Sequence, residues 1–135
     1  MTRDETLERL GSYQRSMDRN RAKVAGLDAK IERLWRAYHQ VGDAGEQLEQ
    51  AARRHARRID RQDDWRGTRR QRLCDKGHEL SSALGAYMAQ VDACRDEIRR
   101  AINRLENEKA DLNGSIGQLQ RAFNDLSSWF DRTFN

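Results

Sequence analysis

The chain contains no proline, so nothing in it compels a helix to stop. It holds only two cysteines, Cys74 and Cys94, and no Cys-x-x-Cys pair, which leaves no disulfide framework and no zinc-finger spacing. The two lie 20 residues apart on one expected helix, about 30 Å, too far to bridge each other. No apolar run approaches the length of a bilayer span. The opening Met1-Thr2-Arg3-Asp4-Glu5-Thr6 lacks the apolar region of a Sec signal peptide, so a cytoplasmic protein is expected unless another route exports it. Glycine-rich phosphate loops and nucleophile elbows are absent, which argues against an enzyme. No cofactor is called for.

What is present is charge and period. Of 135 residues, 36% are hydrophobic and 36% charged, a balance that suits a helical protein with a narrow seam and a wetted surface. Leu10, Tyr13, Met17, Asn20, Val24, Leu27, Ile31, Leu34, Tyr38 and Val41 recur at alternating three-four spacing. Gly45, Leu48, Ala52, His55 and Ile59 continue the phase, and such a sustained heptad predicts a coiled-coil seam. A second series runs through Leu73, Gly77, Leu80, Leu84, Tyr87, Val91, Cys94 and Ile98. It then steps by four again to Ile102, a stutter, before Leu105, Leu112, Ile116, Leu119, Phe123, Leu126 and Phe130. Cys94 falls on this seam and is expected to pack as a small apolar residue.

Between the two series lies the strongest break in the pattern, Asp63-Asp64-Trp65-Arg66-Gly67-Thr68. Thr2 with Glu5 and Thr68 with Gln71 have the spacing of capping boxes, each marking a helix start. The expected fold is therefore all-α, a long antiparallel helical hairpin forming one domain over 1–135. Helix one covers about 3–62, the Trp-x-Gly turn about 63–67, and helix two about 68–131. Folding at residue 66 pairs positions whose numbers total 132, so Tyr38 should lie near Cys94 and Ile31 near Ile102. Gly42 and Gly45 each weaken helix one by about 1 kcal/mol relative to alanine, which marks where a kink or short break would fall.

Three features point outward. Small residues crowd the middle of both arms: Ala37, Gly42, Gly45 and Ala52 against Gly77, Ala83, Ala86 and Ala93. They allow close helix approach or leave a shallow groove for a third helix, although alanine is also simply a good helix former. Phe123, Leu126, Trp129, Phe130 and Phe134 gather at the C-terminal end opposite little more than Leu7 and Leu10. With Trp35, Tyr87 and Met88 they form a candidate face for helices from another chain. Charge is concentrated at the turn. Arg53, Arg54, Arg57, Arg58, Arg61, Arg66, Arg69, Arg70 and Arg72 against Asp60, Asp63 and Asp64 leave that tip at +6. The remaining 17 cations and 19 acids leave the rest at −2.

A basic tip can serve nucleic acid, an anionic surface or an acidic protein. Trp65 is the sole aromatic within it, which argues against stacking on nucleic-acid bases. Cys74 and His78 share a helical face, with His55 near them in the hairpin register, but this is too sparse for a zinc site.

The helix–Trp-x-Gly–helix plan, carried by Trp65 and Gly67, resembles the WXG superfamily of small proteins of type VII secretion systems. The second arm, with Tyr87-Met88-Ala89-Gln90-Val91-Asp92 and then Ile98, Ile102, Leu105-Glu106, Leu112, Ile116 and Leu119, is similar to the longer members encoded beside LXG polymorphic toxins. The resemblance implies a bacterial accessory, chaperone or targeting protein. Such a protein pairs with a small helical co-chaperone, with the helical N-terminal region of a toxin, or with both. It also implies that Trp65 sits at the helix junction and Gly67 permits the turn. The family's export signal, an aromatic followed four residues later by an acid, is missing: Phe123 is followed by Ser127, Trp129 by Thr133 and Phe130 by Phe134. On this reading the chain borrows its partner's signal or stays in the cytoplasm. Homodimers and a self-assembling coiled-coil scaffold are the remaining alternatives.

Overall fold

The computed structural model describes residues 1–60 and 67–135, apart from the side chains of residues 59 and 60. Trp65, Arg61 and Arg66 lie outside the described residues. The chain is an all-α helical hairpin of two helices, α1 (Arg3–Asp60) and α2 (Thr68–Phe134). Neither a strand nor a helix long and apolar enough to cross a membrane occurs among the described residues.

Helix α1 starts as its capping box predicts. Thr2 Oγ1 accepts the Glu5 amide at 3.2 Å, and Glu5 Oε2 accepts the Thr2 amide at 3.1 Å. Asp4 and Glu5 in its first turn and Arg57 and Arg58 in its last suit the helix dipole at both ends. The start of α2 differs from expectation. The Gln71 amide donates to the carbonyl of Gly67, and the Gln71 side chain reaches forward to Asp75 instead of back to Thr68. Gly67 therefore occupies the N-cap position, one residue earlier than predicted. Its φ of +89° is a conformation that only glycine adopts without strain, which is the physical reason for glycine there.

The contacts gather into two units, each built from a piece of both helices. The terminal unit comprises Met1–Arg33 with Ala101–Asn135, and the tip unit is Leu34–Arg100. In the terminal unit the predicted seam is filled. Met17 and Ile102 are 1% and 2% exposed, and Leu27 and Ile31 are buried beside them. Burying each such side chain contributes about 1.5–3 kcal/mol. Two polar pairs hold the register: Asn20 Nδ2 donates to Ser115 Oγ at 3.3 Å, and Lys109 Nζ meets Asp28 at 2.7 Å. Thr6 is fully buried, its hydroxyl returned to the Thr2 carbonyl.

The tip unit is thinner. Gly45 and Val91 are its only buried residues among those described. Helix α1 passes through Gly42 and Gly45 without a break, so the short break and third helix considered there are not found. These glycines make room instead. A Cβ on Gly42 would fall 2.8 Å from Arg95 Cζ, and one on Gly45 would fall 3.1 Å from Val91 Cγ1. Close approach across the seam outweighs the lost helix propensity.

The α2 seam in this unit also corrects the sequence reading. Cys94 is exposed, as is Tyr87, whereas Met88 and Arg95 are half-buried and face α1. The inward-facing series is Leu84, Met88, Val91, Arg95 and Ile98, half-buried apart from the buried Val91, and along α2 it steps to Ile102 in phase. The expected stutter between Ile98 and Ile102 is therefore absent, and the four-four step falls at Leu80, Leu84 and Met88. Register pairs in both units have numbers totalling 133 to 137, one to five beyond the expected 132. Tyr38 lies in the Cys94 region as expected, its contact there being with the adjacent Arg95.

Candidate partner-binding surface

Aromatic and cationic side chains organise one side of the tip unit. Trp35, Tyr38 and His39 form a ring cluster on α1, with Trp35 edge-on to Tyr38 at 5.5 Å and stacked on His39 at 6.0 Å. Arg95 lays its guanidinium 4.1 Å from the centroid of Tyr38, and Arg99 lies 4.8 Å from that of Trp35. Each contact is worth about 0.5–2 kcal/mol, more as water is excluded. Trp35 is thus occupied within the hairpin and only half-exposed. Nothing in composition flagged Arg95. Counting back in heptads from Ile102 does reach it, and also reaches Met88.

Towards the turn the two helices leave a groove on their surface. Leu48, Ala51, Ala52 and His55 line it from α1, and Leu80, Ala83, Leu84 and Tyr87 from α2, around about 430 Å³. Leu48, Leu80 and Tyr87 remain 42%, 46% and 41% exposed. The predicted seam positions Leu48, His55 and Leu80 are therefore lining residues of an open cleft. The physical cause is side-chain size: alanine at 51, 52 and 83 does not reach far enough to close the gap. Of the small residues noted in the sequence, Gly42 and Gly45 make the close contact with α2, Ala52, Gly77 and Ala83 line open cavities, and Ala86 and Ala93 are exposed.

A second, smaller cavity of about 270 Å³ lies nearer the turn and is lined in part by His55, Cys74 and His78. The sequence register thus brings these three together as anticipated. No group of three or more His, Cys, Asp or Glu among the described residues is placed to hold a metal ion. Arg53, Arg54, Arg57, Arg58, Arg69 and Arg70 are all exposed around this end, with Arg53 paired to Glu49.

In the terminal unit the C-terminal rings pack largely on one another. Phe134 lies 5.7 Å from Trp129 and 5.1 Å from Phe130, and it is the one ring of the group that is exposed. Phe123, Leu126, Trp129 and Phe130 are half-buried. Leu7 on α1 stays exposed. The chain matches no family model, no curated protein and no solved structure. Its surface must be read on its own chemistry, and that surface offers grooves and ridges of helical dimensions.

Proposed function

We propose that this chain is a non-enzymatic adaptor that binds helices of other proteins. The observation that carries the reading is the exposed apolar surface at Leu48, Leu80 and Tyr87 in one unit and at Leu7 and Phe134 in the other. Apolar ridges at helical spacing are completed by further helices in bundles. The finer proposal is an accessory, chaperone or targeting protein of a bacterial type VII system. In that role it binds the N-terminal region of an LXG-type toxin, a small helical co-chaperone, or both. The Trp65-x-Gly67 corner between two amphipathic arms supports this version, and the positive φ of Gly67 suits the corner it requires. Coexpression with the helical products of adjacent genes tests it: a stoichiometric complex that survives gel filtration is expected. A chain that purifies alone as a stable homodimer removes the adaptor reading and favours a self-assembling scaffold.

A second reading rests on the exposed arginines at the tip, which suit nucleic acid or an anionic surface. Salt-sensitive retention on DNA or RNA, lost when Arg53, Arg54, Arg57 and Arg58 are all changed to glutamate, would favour it.

A further inference from the structure

The groove of the tip unit has a chemical identity more specific than greasiness. We infer that it seats a single amphipathic helix of another protein, apolar along one face and acidic along its flanks. The inference rests on the reading of the chain as a binder of foreign helices and adds which groove, which partner chemistry and which end carries the charge.

Three observations meet here. Of the six large hydrophobic side chains exposed among the described residues, three, Leu48, Leu80 and Tyr87, stand on this one cleft. The cleft is a channel between two adjacent helices, a shape that accepts the ridge of a third helix. Its surroundings are strongly cationic: over 48–58 and 67–87, eight Lys and Arg face three acids, Glu49, Asp75 and Glu79, and Glu49 is paired with Arg53.

Helical spacing aligns that charge with the groove. Steps of three and four from Ala51 reach Arg54 and Arg58 on α1. The same steps back from Leu80 reach Lys76, Arg72 and Arg69 on α2. On each helix one stripe through a groove residue therefore leads to flanking cations toward the turn, while the cavity nearer the turn is itself lined by His55, Ala56, Leu73, Cys74, Gly77 and His78. From Arg69 to Tyr87 the stripe covers about 27 Å, or about five turns of a docked helix.

Charge also selects among occupants. A second copy docking parallel in the same groove sets cations against cations, and like charges across an interface cost several kcal/mol of specificity; an antiparallel copy is separated from a foreign helix by the oligomeric state. A flat anionic membrane would meet the arginines but leave the channel unfilled. A helix with glutamates flanking a leucine stripe satisfies both the channel and the charge.

Synthetic helical peptides of about 18 residues test this with the full chain by fluorescence anisotropy. They share one leucine–alanine face and carry either glutamate or lysine on the flanks. The glutamate peptide should bind about tenfold or more tightly than the lysine peptide, with affinity falling as salt rises. Leu80→Glu with Ala83→Glu should abolish binding. Arg54→Glu with Arg58→Glu should invert the preference toward the lysine peptide, a gain that a misfolded variant could not give. Equal binding of both peptides, or none at millimolar concentration, overturns the inference. So does a homodimer dispersed by Leu80→Glu, or binding to phosphatidylserine vesicles without any peptide preference. The two proposals fail separately. Peptide binding without a copurifying genetic neighbour keeps the groove and drops the secretion role, whereas a neighbour complex untouched by Leu80→Glu with Ala83→Glu does the reverse.

Discussion

The terminal and tip units follow one heptad rule and end with different interiors. In the first, the seam carries methionine, leucine and isoleucine, and four of these side chains are buried. In the second, glycine, alanine and histidine interrupt the series at Gly45, Ala52, His55 and Gly77, and the only large side chain buried among the described residues is Val91. Periodicity decides which face turns inward, but side-chain volume decides whether that face closes. The tip unit compensates with glycine-permitted contact at Gly42 and Gly45 and with guanidinium–ring contacts at Tyr38 and Trp35. What stays open there is the surface proposed for partners.

The sharpest way to break this contrast is to truncate one residue in each unit. Ile102→Ala should cost about 2–5 kcal/mol in urea denaturation, because the vacated space cannot refill. Leu80→Ala, at a position already 46% exposed, should cost less than about 1 kcal/mol. Equal losses would mean the tip groove is a closed core. Next in size is Gly45→Leu, which forces a side chain into Val91 and should cost about 1–3 kcal/mol by the same measurement. Stabilisation instead would show that Gly45 marks no close contact.

Smaller still is the Tyr38–Arg95 pair. A double-mutant cycle with Tyr38→Leu and Arg95→Met should give a coupling of about 0.5–2 kcal/mol. The wild-type Arg95 side-chain protons should also show a ring-current shift by NMR that Tyr38→Leu removes.

The smallest effect belongs to Lys109. Its hydrogen bond to Asp28, and then their mutual attraction, hold its pKa above the ordinary 10.5. A raised folded-state pKa means the stabilisation is fully present below 10.5 and is lost as pH rises through the folded value. Lys109→Met should therefore be slightly less stable than wild type at neutral pH, and the difference should fade above that range. A gap that widens in alkali would contradict the pairing.

Much of this was legible beforehand. Two helices, their antiparallel pairing, the α1 seam from Leu10 to Gly45 and the Thr2–Glu5 cap all follow from spacing. The α2 seam differs from the sequence reading because Cys94 looks more apolar than Arg95, and Tyr87 and Met88 are adjacent candidates in a window where both phases are populated. Arginine can occupy a seam when its stem lies against a helix and its head finds an aromatic ring, and a binary pattern cannot express that. The groove was half visible, since small residues announced either tight approach or open space. Which residue did which depended on a register shift of one to five residues, finer than sequence spacing resolves.

The way α2 opens has a practical corollary. Its first turn contains no acid and does contain Arg69 and Arg70, whereas α1 opens on Asp4 and Glu5. A helix start set against its dipole opens more readily, so amide exchange just after Gly67 should be faster than just after the Thr2 cap, which is furnished with its own carboxylate.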